Sequence, residues 1–221
     1  MANIEYVLPE EIEKRSFAII SQELAAMQIT LPEDQEAVTK RVIHTTADFE
    51  FAHTMRYSED AVAIARKLLL DGADIVTDTN MTKAGINKAR LAKYGGEVHC
   101  FMADPEVAKE AKERKVTRAT VSMEYASRLK KPVIFAIGNA PTALISLHEM
   151  MEAGIFTPAF VIGVPVGFVN VEGAKELFLG GEVPYIINRG ARGAAISRLP
   201  SAMHCCMELR NREIGTGIHR F

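Results

Sequence analysis

Five short apolar segments, separated by stretches with helical patterning, constrain the fold of this chain more than any other feature. The clearest is VIFAI at residues 133–137, which has no polar residue and would be buried on both faces as a strand. Strands of this kind that alternate with helices form a parallel sheet with helices on both sides. The sequence therefore predicts a doubly wound α/β fold around a five-stranded, mainly parallel sheet. The predicted strands are residues 75–77, 98–102, 133–137, 159–164 and 183–187.

Local signals predict where several helices begin and end. A helix after Pro32 is expected to continue to Asp48, and a single helix is expected over residues 81–94. Ser58 and Thr117 are predicted N-caps, whose side-chain oxygens would accept hydrogen bonds from the first free amides of a helix, and Asp104-Pro105 is predicted to start another helix. The 221 residues, 48% of them hydrophobic, suffice for one core, and the composition does not shift along the chain. A single domain over residues 1–221 is therefore predicted.

The overall charge limits the partners of this chain. Its formal net charge is −2 and its pI is about 6.3, so it has no global basic field for nucleic acid or for an anionic membrane. Residues 154–171 carry no charge, but Pro158 and Pro165 would break the helix that a membrane span requires. The sequence thus indicates a small-molecule partner, and an acidic ligand would have to be met by local positive groups.

The cysteines and the N-terminus indicate a reduced, intracellular chain. Cys205 and Cys206 are adjacent and Cys100 stands alone, which is neither a disulfide framework nor a zinc-binding pattern. No two histidines have the spacing of a metal site, so no metal site is predicted. Residues 1–9 include Glu5 and lack the apolar core of a signal peptide. We therefore expect a cytoplasmic protein.

Titratable side chains are concentrated in residues 41–48, which read RVIHTTAD. In a helix that reaches Asp48, the side chains of Arg41, His44 and Asp48 share one face, because their spacings are three and four residues. Asp48 would then hold the imidazole in one tautomer, and Arg41 would offer its guanidinium to an acidic ligand. This group is a candidate acid/base centre, although a histidine beside a carboxylate is more often a structural pair.

A serine lies on the apolar stripe of the helix that is predicted to begin at Pro9. Ser16 is four residues from both Ile12 and Ile20, so the helical period places all three side chains on one face. The simplest interpretation is a hydrogen bond from the Ser16 hydroxyl to the Ile12 carbonyl, as mid-helix serines often make. The alternative is contact with a ligand that lies against this helix.

Three glycine-rich segments follow predicted strands, at the end of the sheet where ligands of doubly wound folds bind. Small residues let the backbone approach a ligand closely, and free amides at a helix start favour an anion. None of the three matches a known phosphate fingerprint, so nucleotide binding is a distant alternative. Ordinary tight turns are the other interpretation. The segments are residues 138–142, 163–168 and 190–193.

Several separated blocks of residues form a recognisable set. They are RSF at 15–17, RVIH at 41–44 with Asp48, TDT at 77–79 with Met81 and Gly85, DP at 104–105, TR at 117–118, GNAPTAL at 138–144 and PVGFV at 165–169. Taken together, the blocks resemble one family, the precorrin-8X methylmutases of corrin-ring (vitamin B12) biosynthesis, which include the cobalt-precorrin-8 methylmutases. The resemblance extends over nearly the whole chain.

This resemblance implies a flavodoxin-like fold of three layers, α/β/α, and a homodimer with active sites near the subunit interface. It implies an isomerase that moves a methyl group between adjacent carbons on ring C of (cobalt-)precorrin-8 in cobalamin biosynthesis. The product would be cobyrinic acid when cobalt is present and hydrogenobyrinic acid when it is not. No cofactor is implied, because any cobalt is carried by the substrate, a corrinoid tetrapyrrole.

By motif, the family's catalytic histidine falls on His44, and its substrate-contacting serine and arginine fall on Ser16 and Arg41. The substrate carries several carboxylates on a flat ring, so Arg41, Arg118 and the glycine-rich strand ends would bind acids beside apolar walls. His44 would protonate or hydrogen-bond the macrocycle as electron density shifts during the migration.

The chain departs from the family pattern near Ala174 and Ala195, where residues with hydroxyl groups are usual. Residues 41–49 and 85–88 look closer to the anaerobic, cobalt-early members, which favours a cobalt-containing substrate. A second class of function stays open. A non-catalytic carrier of the same corrinoid would share Ser16, Arg41 and the glycine-rich segments with an enzyme.

Overall fold

One sheet lies at the centre of the computed structural model, which describes Tyr6 and residues 8–193, so that Ala195, Cys205 and Cys206 lie outside the described residues. Its strands are β1 Met55–Tyr57, β2 Asp74–Thr77, β3 Val98–His99, β4 Val133–Ile137, β5 Phe160–Gly163 and β6 Tyr185–Asn188. Their spatial order is β1-β6-β5-β4-β2-β3, and only β1 is antiparallel to its neighbour. Without β1, the five parallel strands lie in the order β3-β2-β4-β5-β6. When these five are numbered along the chain, the order is 2-1-3-4-5, which is common in doubly wound sheets.

The predicted doubly wound α/β class is confirmed, but the predicted count of five strands is wrong. The missed strand is β1, which pairs antiparallel with β6 at the edge of the sheet. Its three residues are too few to show an alternating pattern, and the central one, Arg56, is exposed. Pairing with β6 therefore gives this segment its extended conformation, rather than local propensity. The predicted strand over 98–102 is shorter than expected, because only Val98 and His99 pair with β2.

Helices cover both faces of the sheet. They are α1 Pro9–Ala26, α2 Glu33–Thr46, α3 Phe51–Thr54, α4 Ala61–Leu70, α5 Asn80–Gly85, α6 Lys88–Ala92, α7 Pro105–Arg114, α8 Arg118–Ala126, α9 Pro141–Glu152 and α10 Val171–Glu176. One apolar cluster packs helices α1, α2, α3, α4 and α6 on one face of the sheet. A second cluster packs α8, α9 and α10 on the other face. In β4, Ile134 belongs to the first cluster and Phe135 to the second, which confirms burial on both faces. Among the described residues, no helix is long and apolar enough to cross a membrane.

The helix start predicted at Asp104-Pro105 and the N-cap predicted at Thr117 are confirmed. The side chains of Asp104 and Thr117 accept hydrogen bonds from amides two and three residues further along the chain. The prediction for Ser58 is wrong, because its hydroxyl accepts a hydrogen bond from the first amide of β6 instead of capping α4. The single helix predicted over 81–94 is also wrong. Asn87 caps a new helix there, so α5 and α6 form separately.

The helix that carries His44 is shorter than predicted. α2 ends at Thr46 rather than at Asp48, because Ala47 adopts the left-handed conformation with a φ of 54°. The Ala47 amide closes the helix with a 2.7 Å hydrogen bond to the Ile43 carbonyl. His44 therefore lies in the last turn of α2, and Asp48 belongs to the following turn.

The carboxyl edge of the sheet brings together the segments that the sequence marked as possible ligand sites. The glycine-rich segments 138–142, 163–168 and 190–193 begin where β4, β5 and β6 end. Because β1 is antiparallel to β6, its first residue lies at this same edge, and the Arg189 amide donates to the Thr54 carbonyl there at 2.7 Å. The turn between α2 and α3 leads directly into this region.

Candidate active site

His44 and Ser16 form a hydrogen-bonded pair between α2 and α1. The Ser16 hydroxyl oxygen lies 2.7 Å from Nδ1 of His44, and both residues are partly buried. The buried side chains of Ile20 and Leu24 hold α1 against the core, whereas Ile12 at the start of the expected stripe is exposed. The structure thus gives Ser16 a different partner from the Ile12 carbonyl. It also makes Ser16 the group that orients the imidazole.

The Ser16 contact distinguishes the two ring nitrogens of His44. When the serine hydroxyl donates to Nδ1, a neutral imidazole carries its proton on Nε2. The described hydrogen bond uses Nδ1 only, so Nε2 is the nitrogen that can donate to a ligand. This arrangement suits a group that delivers a proton at one defined atom.

Phe17 connects His44 to Arg41. The Phe17 ring stacks on the imidazole with ring centroids 5.4 Å apart and planes at 25°, and the central guanidinium carbon of Arg41 lies 4.6 Å from the same ring's centroid. Arg41 is buried, and its Nη2 donates to the Glu13 carboxylate at 2.5 Å. The ring and the carboxylate lower the cost of burying this charge. We call Ser16, Phe17, Arg41 and His44 the His44 cluster.

Asp48 does not share a face with His44, so that prediction is wrong. The left-handed Ala47 ends α2 before Asp48 and directs the aspartate to the segment after β6. There its Oδ2 accepts a 2.9 Å hydrogen bond from Nη1 of Arg192. Asp48 therefore stabilises the turn that follows α2. The imidazole of His44 is oriented by Ser16 instead.

Arg118 lies at a different part of the carboxyl edge. It is the exposed first residue of α8, and its neighbour Thr117 donates a 3.0 Å hydrogen bond to the hydroxyl of Thr142 at the start of α9. No hydrogen bond or ion pair among the described residues joins Arg118 to the His44 cluster. Contacts within the chain therefore bring together Ser16, Arg41 and His44, but not Arg118.

An aspartate to which the sequence analysis gave no role, Asp78, accepts hydrogen bonds from the backbone amides that follow β4. Asp78, directly after β2, accepts hydrogen bonds from the amides of Gly138, Asn139 and Ala140 at 3.1, 2.7 and 2.6 Å. Burial raises the pKa of Asp78 above its ordinary value of 3.8, and the three amides oppose that rise. The anion that these amides bind is thus part of the protein. The sequence did contain a sign of this role, because Asp78 is a carboxylate placed directly after a buried strand.

A buried lysine holds the segment after β6. The Lys175 amine, on α10, donates to the carbonyls of Gly190 and Arg192 at 2.7 Å each. Burial lowers the pKa of Lys175 to about 8, with the charge of Glu172 acting in the opposite direction. The sequence analysis gave Lys175 no role.

The segment after β5 presents apolar side chains at the same edge. Val166, Phe168 and Val169 are exposed, and Phe168 is 98% exposed. Gly193 packs closely on this segment, since an added Cβ would lie only 2.6 Å from the Val164 carbonyl oxygen. The segments after β5 and β6 therefore form one continuous surface, and Arg192 joins that surface to the turn after α2.

The fold and the His44 cluster define a doubly wound α/β protein with a histidine-centred candidate acid/base site. The family model of precorrin-8X methylmutase matches residues 11–199, a range that includes the whole His44 cluster. The chain belongs to the precorrin-8X methylmutase family.

Individual relatives agree with this assignment in sequence and in structure. The cobalt-precorrin-8 methylmutase of Priestia megaterium is 40% identical over 189 residues, which cover 86% of this chain and 83% of the relative. The precorrin-8X methylmutase of Pseudomonas aeruginosa is 36% identical over 188 residues, covering 84% and 89%. The crystal structure of the precorrin-8X methylmutase from Thermus thermophilus has a TM-score of 0.80 and 36% identity, and covers 92% of this chain and 98% of that chain.

Proposed function

We propose that this protein is an isomerase that moves a methyl group between adjacent carbons on ring C of (cobalt-)precorrin-8 during cobalamin biosynthesis. The product is cobyrinic acid with cobalt or hydrogenobyrinic acid without it. The hydrogen-bonded Ser16–His44 pair carries the proposal, because it gives a chain of this family a group that can move a proton.

His44 is the proposed proton donor. The migration breaks one carbon–carbon bond and forms another, so electron density shifts across the ring while its composition stays the same. An imidazole can give and take a proton near neutral pH, which suits this shift. Because the reaction is an isomerisation, a proton given to the ring must be matched by one that the ring loses. Nε2, which Ser16 does not contact, is the atom that exchanges it.

The proposed substrate contacts are Ser16, Arg41 and Arg118, with apolar walls for the flat ring. Arg41 already binds the Glu13 carboxylate, so a substrate carboxylate would replace or share that partner. The exposed Phe168, on the segment after β5, supports an apolar wall at this edge. The amides after β4 are held by a carboxylate of the chain itself, so they are not among the proposed contacts.

The proposed reaction uses no resident cofactor or metal, since a migration within one molecule needs positioning and proton transfer. Cobalt is part of the substrate when it is present. The similarity of residues 41–49 and 85–88 to the cobalt-early members supports a cobalt-containing ring as the preferred substrate.

Turnover distinguishes the isomerase from the alternative, a non-catalytic corrinoid carrier of the same pathway. The protein is mixed with an excess of cobalt-precorrin-8, and conversion is followed by the visible spectrum of the ring. We expect many equivalents of product per subunit. Stoichiometric binding without spectral conversion would identify a carrier and would contradict the proposal.

The same assay with the metal-free ring tests the substrate preference. Cobalt changes the electronics of the ring more than its outline, so the two substrates should bind similarly and differ in turnover. Faster conversion of the metal-free ring would contradict the preference for cobalt.

We also propose a homodimer in which the His44 cluster lies near the subunit interface. Leu8, Ile12 and Ile19 are exposed apolar residues on or next to α1, the helix that carries Ser16. Apolar side chains grouped in this way favour contact with another protein surface. Light scattering should give twice the chain mass of 24.3 kDa. The mass of a single chain at micromolar concentration would contradict the dimer.

A further inference from the structure

Lys175 is fully buried, which is rare for a lysine. Among the described residues, no carboxylate lies within ion-pair distance of its amine, and the hydrogen bonds that it donates go to two backbone carbonyls. Burying an ammonium group in this way costs free energy, and its lowered pKa reflects that cost. A methionine would fill the same volume without the penalty. The amine therefore needs an explanation beyond filling the core.

Both carbonyls that Lys175 contacts belong to one short segment, residues 190–192. The buried side-chain amide of Asn188 donates to the Arg192 carbonyl as well. Gly190 has a left-handed φ of 85°, so the chain turns sharply where the amine holds it. Donors from α10 and β6 thus fix the backbone from which the Arg192 side chain extends.

The segment that Lys175 fixes is connected to the end of α2. The Arg192 guanidinium donates to Asp48, and the other carboxylate oxygen of Asp48 accepts a 2.9 Å hydrogen bond from the Glu50 amide. The Asp48 amide in turn donates to the hydroxyl of Thr46, the last residue of α2. Asp48 lies four positions after His44, so this turn sets where the last turn of the helix ends.

We propose that Lys175 is a positioning residue of the methylmutase reaction, which fixes the backbone of residues 190–192 so that Arg192 holds Asp48 and the end of the helix that carries His44. The inference rests on the proposed function of His44. A displacement of a reacting group by a fraction of an ångström to 1 Å can lower a rate substantially, so a distant anchor has a measurable kinetic effect.

A kinetic double-mutant cycle tests the inference. Lys175→Met removes the donors, and we expect it to lower kcat about tenfold with KM changed less than about twofold. Arg192→Gln breaks the contact with Asp48 and should lower kcat by a similar factor. If both act through one connection, the double variant is no slower than the slower single variant. The inference would be overturned if the loss of kcat in the double variant equalled the product of the two single losses. A wild-type kcat in a folded Lys175→Met variant would overturn it as well.

Two further variants separate positioning from stability. Lys175→Gln keeps an uncharged donor and should recover part of the lost kcat, although glutamine is shorter. If Lys175→Met does not fold, Lys175→Gln takes its place in the cycle with Arg192→Gln. Arg189→Gln is the matched control, because its side chain pairs with Glu176 rather than with Asp48. It should leave kcat unchanged, and a loss equal to that of Arg192→Gln would overturn the assigned connection.

Amide hydrogen exchange tests the connection without any turnover. In Lys175→Met, exchange should accelerate at Ala47 and Glu50 as well as in residues 190–193, whereas Arg189→Gln should change neither. Acceleration confined to residues 190–193 would overturn the inference. If the wild-type protein does not convert the ring, the proposed function fails, and the exchange result still decides whether Lys175 controls the turn after α2.

Discussion

His44→Ala is expected to lower kcat by about 10²- to 10⁴-fold while the corrinoid still binds. Alanine removes the group that delivers the proton, whereas Arg41 and the apolar surfaces that would hold the ring are unchanged. The fold should persist, because His44 is only partly buried and its loss beside Phe17 should cost about 1 kcal/mol. Turnover is followed by the visible spectrum of the ring, and affinity by spectral titration.

Two variants calibrate this result. Ser16→Ala keeps the imidazole but removes the hydroxyl that orients it, so we expect a smaller loss in kcat, about tenfold. His53→Ala removes an exposed histidine on α3 and should leave kcat unchanged. Turnover at the wild-type rate in His44→Ala would remove His44 from the mechanism and leave the carrier as the better interpretation.

Most of the sheet could be predicted because its strands are encoded by nearby residues. The apolar run in β4 specifies a strand buried on both faces, and Asp104 and Thr117 mark helix starts with their own side chains. β1 could not be predicted, since a three-residue edge strand is defined by its partner β6. The end of α2 was missed for a local reason. A non-glycine residue, Ala47, adopts a left-handed conformation that no residue preference indicates.

The sequence predicted which residues form the candidate site, but it did not predict the contacts between them. The sequence marked Ser16, Arg41 and His44, yet the Ser16–His44 bond joins residues 28 apart and depends on how α1 packs on α2. The predicted pairing of His44 with Asp48 relied on helical spacing alone, and that spacing does not apply beyond Thr46, where α2 ends. Asp78 and Lys175 were missed for a related reason, since their partners are backbone groups brought close only by the completed sheet.

Asp78→Ala is expected to lower the free energy of unfolding by about 2 to 3 kcal/mol. The aspartate is buried and accepts hydrogen bonds from three consecutive amides after β4. Its removal leaves the amide of buried Gly138 without its acceptor, whereas the amides of Asn139 and Ala140 are nearer to solvent and can bind water. This difference keeps the expected loss below the sum of three buried hydrogen bonds.

Asp78→Asn and Asp71→Ala make the test of Asp78 specific. Asparagine keeps the shape but offers one acceptor oxygen, so its amide group would face donors in either orientation, and we expect a loss of about 1 to 2 kcal/mol. Asp71 is exposed and paired with Lys67 on the surface, so its replacement should change stability by less than about 1 kcal/mol.

Denaturant unfolding of the three variants measures these differences. Equal midpoints for Asp78→Ala and Asp71→Ala would show that the carboxylate does not stabilise the segment after β4. The expected order follows from geometry, because Asp78, unlike Asp71, connects the ends of two neighbouring strands, β2 and β4.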